Sequence, residues 1–145
     1  MSNINKFLNQ WDKNVDKLIE HQTKAITQAA SQVYKETVDR TPFGRPELWK
    51  GIAPVGYKPG DLRKAWEIDW GTGFIHATAS FTGKLNSVTG AQNYRLGNDI
   101  YIRNQAPYAE KIEYGYSRQA PSGMMRVSVR QYQSFLNKAT KNNKL

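Results

Sequence analysis

The chain contains no cysteine, which at once excludes disulfides, thiolate metal sites and a cysteine nucleophile. Its two histidines, His21 and His76, stand far apart, and neither has a carboxylate pair at ligand spacing, so a zinc centre has nothing to be built from. Long apolar runs are missing too. The first residues lack the hydrophobic stretch of a secretory leader, and no later run approaches the roughly 20 residues of a membrane span. A soluble, unprocessed product with no membrane partner is expected. Acid is missing from one end: residues 114–145 carry Arg118, Arg126, Arg130, Lys138, Lys141 and Lys144 and no Asp or Glu, within a net charge of +9. Such one-sidedness fits a nearby acidic partner or nucleic acid, or simply a solubilising surface. No recognisable element for reading duplex DNA accompanies it. Internal repeats and low-complexity tracts are absent. Gly71-Thr72-Gly73 is no phosphate loop, because no Lys-Ser/Thr follows and it precedes a strand pattern.

What is present reads as one α+β domain spanning 1–145, a length that can bury a core without staples. Phe7, Trp11, Val15, Leu18, Ile19, Ile26, Ala29, Ala30, Val33 and Val38 recur at three- and four-residue steps, predicting an amphipathic helix over residues 5–40 that stops at Thr41-Pro42. At 1.5 Å per residue it would be roughly 54 Å long, against a diameter of about 30–40 Å for a globule of this size. It must therefore break near the polar residues 21–24, or project and pack on a neighbour. Pro42, Pro46, Pro54 and Pro59, with several glycines, mark 41–61 as an irregular loop, anchored by Trp49, Ile52, Val55 and Tyr57. Asp61 is placed to cap the helical turn that follows.

Residues 62–115 form the expected β-rich core. Alternation predicts strands over 66–70 and 74–81, joined as a hairpin by Gly71-Thr72-Gly73. A polar loop fills 82–97, and a third strand covers 99–103 with Ile100 and Ile102 on one face. A short helix over 108–114 ends with Gly115 in the position of a C′ glycine. The remaining 116–145 form a basic helix and tail, helical over 123–138 with Met124, Val127, Tyr132, Phe135 and Leu136 inward. Val127-Ser128-Val129 leaves its first turn ambiguous with strand. The long helix and the C-terminal helix are expected to pack on a small antiparallel sheet, since one sheet face must be covered.

No catalytic constellation emerges, and no metal or cofactor is expected. Glu110 and Glu113 share helical spacing but lie beside Lys111 and Arg118, so they read as solvated charge pairs rather than an acid–base couple. His76 reads as a half-exposed strand residue. Asp99, Glu110 and Lys111 match no nuclease arrangement. The tryptophans and tyrosines are explained by core and interface anchoring. Tyr108, Tyr114, Gly115, Tyr116, Arg118, Pro121, Gly123 and Met124, crowded into one window, have the character of joint and contact residues.

Two segments carry a resemblance. Gly60-Asp61-Leu62-Arg63-Lys64-Ala65-Trp66 resembles the Thr-Gly-x-Leu-Arg-x-x-Trp signature of a family of neck and tail-completion proteins of long-tailed double-stranded-DNA phages, where it follows a long N-terminal helix. Asn104, Tyr108, Ala109, Glu113, Tyr114 and Gly115, then Ser117, Gln119, Ala120, Pro121, Gly123 and Met124, match that family's second motif. The stretch between Pro42 and Gly60 is longer than the family usually has. The resemblance implies a non-enzymatic virion protein, made in the host cytoplasm, that joins the DNA-filled head to the tail. Its partners would be itself in a homo-oligomeric ring (a hexamer, with a dodecamer the other option), a head-closure or portal-adjacent ring, a tail terminator or tail tube protein, and phage DNA in the lumen without sequence specificity. On that reading Trp11, Val15, Tyr108, Glu113, Tyr114, Gly115 and Met124 belong to subunit or tube interfaces. Arg118, Arg126, Arg130 and Lys138 face DNA or an acidic partner. The alternative is a small basic nucleic-acid-binding module, favoured by charge alone.

Overall fold

The computed structural model describes residues 2–43, 52, 55–56, 58–77 and 88–143. Helix α1 runs unbroken over Asn3–Arg40. The polar residues 21–24 do not interrupt it, because nothing there removes an N–H or demands a positive φ. Ser2 opens the helix, its Oγ accepting from Asn5 N at 3.2 Å. Thr41 ends it: its backbone is extended, as expected of a residue preceding proline, and its hydroxyl donates back to Thr37 O at 2.7 Å.

The rest of the chain folds around the C-terminal half of α1. A helical turn, α2 (Asp61–Lys64), leads into β1 (Trp66–Asp69), which pairs antiparallel with β2 (Phe74–Ile75) and β3 (Tyr101–Asn104) in the order β2-β1-β3. Ile68 faces Ile75 on one side and Ile102 on the other, so the register aligns the apolar face across all three strands. Short helices α3 (Ala109–Glu113) and α4 (Met125–Val129) follow, then α5 (Tyr132–Asn142), and α4 and α5 both pack on α1. This is the expected α+β arrangement.

The core joins Tyr34 and Val38 of α1 to Leu62, Trp66, Ile68 and Trp70, and to Tyr108, Ile112 and Met124 from the last third of the chain. Buried side-chain donors tie its elements together. Tyr34 OH donates to Trp66 O at 3.0 Å, and Trp66 Nε1 donates to Thr41 Oγ1 at 2.7 Å. Arg63 is buried against the end of α1, where Nε donates to Val38 O at 3.2 Å and Nη2 lies 3.6 Å from Asp39 Oδ1. Burial lowers its pKa and Asp39 opposes the shift.

Several boundaries differ from the sequence expectation. Gly60, not Asp61, is the N-cap of α2; its φ of +87° is one that Asp would adopt only with strain, and Asp61 becomes the first helical residue. β2 is shorter than the expected 74–81: at Ala77 the carbonyl is taken by Thr89 N at 2.8 Å rather than by a strand neighbour. Residues 78–81 and the loop anchors Trp49 and Tyr57 lie outside the described residues, as do Pro46 and Pro54. The third strand begins at Tyr101 and includes Asn104. The single helix expected over 123–138 is two helices. Gln131 N bonds Ser128 O at 3.1 Å, tightening the chain between them, and Ser128 Oγ donates to Met124 O at 3.0 Å.

Candidate assembly surface

Two features need explaining beyond the core: the joint in the last third of the chain, and the exposed half of α1.

The joint begins where α3 ends. Gly115 has φ +85°, its N–H donates to Ile112 O at 3.0 Å, and Tyr116 N donates to Lys111 O at 3.1 Å. These two bonds form a Schellman motif with glycine at C′, as the sequence predicted. Glu113 then turns back onto the start of α4. Its carboxylate accepts from Met124 N and Met125 N, both at 2.9 Å, and from Arg126 N at 2.8 Å. Arg126 returns the contact: Nε donates to Glu113 Oε1 at 3.2 Å, and Nη2 donates to Glu113 O at 2.6 Å. The carboxylate caps one helix while the guanidinium caps the other. Burial alone would raise the Glu113 pKa, but the backbone N–H groups of Arg126, Met124 and Met125 outweigh it and hold the group below its usual range.

This corrects two expectations. Glu113 is not a solvated partner of Lys111 and Arg118; it is the clamp between α3 and α4. Tyr108, Gly115 and Met124, expected at an interface, are buried. A Cβ at Gly115 would lie 2.6 Å from Pro121 O, and one at Gly123 would meet Glu113 O, so both glycines are there because backbone passes against them. Tyr114 alone of that group is open, at 68% exposure, with the Arg126 guanidinium 4.6 Å from its ring centroid.

The two motif segments meet each other. Asn104 Nδ2 donates to Leu62 O at 2.8 Å while its Oδ1 accepts from Ala106 N at 2.9 Å. Leu62, Arg63 and Trp66 are all buried. Most positions of both motifs thus lie inside the fold. A third cluster went unread in the sequence. Glu67, on the central strand and only 8% exposed, accepts from Arg103 Nε at 2.8 Å and Gln105 Nε2 at 2.6 Å, with His76 Nε2 at 3.4 Å. Burial would raise its pKa, but the bonds from Gln105 and Arg103 lower it on balance. The cross-strand pairing Glu67↔Arg103 that satisfies it could not be known without the register.

The open half of α1 is the other feature. Every residue over 3–20 is exposed, while buried positions begin at Ala25. Ile4, Phe7, Leu8, Trp11, Val15, Leu18 and Ile19 are all exposed, Trp11 to 58%. Ile4, Leu8, Trp11, Val15 and Leu18 follow alternating steps of four and three, the spacing of a helix–helix seam. Trp11 and Val15, expected at an interface, are both exposed on this face. The apolar face of α1 thus continues, exposed, N-terminal to its buried half.

The basic residues form no single array. Arg126 is held by Glu113, Arg130 lies one turn further on, and Lys138 sits on α5 beside Phe135, Gln28 and Gln32. Arg118 is exposed on the loop before α4. Among the described residues no cluster of His, Cys, Asp or Glu could hold a metal, and no helix is long and apolar enough to cross a membrane. No protein-family model, curated protein or solved structure matches this chain.

Proposed function

We propose that this protein is a structural subunit that assembles with copies of itself into a ring, in the neck that joins the DNA-filled head of a long-tailed phage to its tail. The observation that carries the reading is the N-terminal half of α1, which displays a continuous exposed apolar face from Ile4 to Ile19. The cross-braced joint between α3 and α4 supports it, since a ring subunit must keep its shape under load. The two motif segments supply the phage assignment. Arg118, Arg130 and Lys138 are exposed cations suited to a lumen that holds DNA by charge and without base readout. The subunit performs no chemistry.

The test is genetic and biochemical together. A phage lacking this protein should accumulate filled heads and separate tails, and adding the purified protein to that lysate should restore complete particles. Normal particle yield without the protein refutes the neck reading. Tight, strongly salt-dependent duplex binding by the isolated chain, with no defect in particle assembly, would favour the nucleic-acid-binding module instead.

A further inference from the structure

The apolar face of the α1 arm has an acceptor on the same chain. Beside the body-packed half of α1 lies a groove of about 350 Å³, walled by Ile26, Ala30 and Val33 of α1, by Ile100 just before β3 and Ile102 within it, and by Val129 of α4. Val129 at its mouth is 49% exposed. Its floor is apolar, and Asp99 is the one charged residue among those lining it.

The arm cannot reach this groove in its own molecule. Ile26, Ala30 and Val33 belong to the same unbroken helix as Trp11 and Val15, so folding back would require α1 to break. Only another molecule can bring an arm there. Charge argues that this molecule is a second copy. The chain carries +9, yet the arm balances Lys6, Lys13 and Lys17 against Asp12, Asp16 and Glu20. A neutral arm approaches a basic body without net repulsion. Trp11 brings a ring N–H that needs an acceptor once buried, which Asn98 and Asp99 at the groove can supply. The seven exposed apolar side chains of the arm present on the order of 600 Å², approaching the roughly 800 Å² that each partner contributes to a standard stable interface.

The geometry points to the arm of one copy seated in the groove of the next, with Trp11 as its anchor. Donor and acceptor are different patches of one surface, so the contact is heterologous and repeats until it closes. It deepens the ring reading and rests on it only for the number of copies at closure; the pairing itself rests on the arm and the groove.

Complementary variants test it. Trp11→Asp spoils the arm and leaves the groove; Val129→Asp spoils the groove and leaves the arm. Both positions are exposed, and a melting curve for each variant verifies folding. By native mass spectrometry and sedimentation, the wild-type chain should self-associate and each variant alone should be monomeric, weakened at least about a hundredfold. Their mixture should give a one-to-one pair, because only one intact arm and one intact groove then remain to meet. A wild-type chain that stays monomeric at about 100 μM overturns the proposal. So does Val129→Asp self-associating like wild type, the outcome expected if arms pair with arms. Two folded variants that ignore each other also overturn it. Since the chain has no cysteine, Asn14→Cys mixed with Arg130→Cys and a bismaleimide linker gives a second readout. Cross-linking should be confined to the mixture, and equal yield in either variant alone contradicts the pairing. Should the variants complement as expected while the wild-type species stops at two copies, the pairing stands and the ring reading fails.

Discussion

Replacing Glu113 with glutamine tests whether the joint between α3 and α4 is an electrostatic clamp. The substitution preserves volume, but glutamine has one acceptor oxygen where glutamate has two. In the native joint one oxygen takes Met124 N and Met125 N, and the other takes Arg126 N and Nε. Glutamine oriented to keep the first pair turns its NH₂ group toward the second, losing two bonds and placing donor against donor. Hydrogen bonds to a charged group contribute about 1.5–3 kcal/mol each, and the solvent access of Arg126 reduces their sum, so a loss of about 2–3 kcal/mol is expected. For a domain of this size that is a fall in Tm of roughly 6–10 °C. The sign of the pH dependence is set by the lowered carboxyl pKa. Stability from a group depressed in the folded state is fully present above its unfolded pKa of about 4.3, and is lost as pH falls through the folded value. Thermal melts followed by far-UV circular dichroism should therefore show the full difference at pH 7, shrinking between about pH 5 and pH 3. A difference that stays constant over that range, or a Tm within about 1 °C of wild type at pH 7, refutes the clamp.

Gly115→Val should cost about 3 kcal/mol through backbone strain at φ +85° and collision with Pro121 O, lowering the urea midpoint; an unchanged midpoint would show that the loop to Pro121 yields freely. Tyr34→Phe should cost about 1 kcal/mol in the same assay, because the Trp66 carbonyl loses a buried donor. Arg126→Glu should lower Tm by setting a second carboxylate against Glu113, whereas Arg130→Glu should leave Tm within about 2 °C and act only on DNA retention in assembled particles. Equal effects of the two charge reversals on Tm would show that Arg126 has no capping role.

What the sequence determined by itself is local. Period-3.6 apolar spacing without a breaker determined α1 up to Thr41-Pro42, and its excess length over a globule of this size required either a break near residues 21–24 or projection. Alternation identified β1 and the apolar face of β3, and glycine at the end of an amphipathic turn identified the Schellman cap at Gly115. These depend on neighbours in the chain, where residue type alone sets the backbone. What only the tertiary structure decided depends on groups distant in sequence. Glu113 reads as a surface acid until the chain returns and brings three N–H groups of α4 onto it. Glu67 reads as the polar side of a strand until the register sets Arg103 and Gln105 against it. Tyr108 and Met124 read as contact residues until the core closes over them, whereas Trp11 and Val15, on the same kind of apolar face, stay exposed. A side chain's type limits what it can do, but whether it faces core, partner or water depends on which distant segment arrives, and no local pattern encodes that.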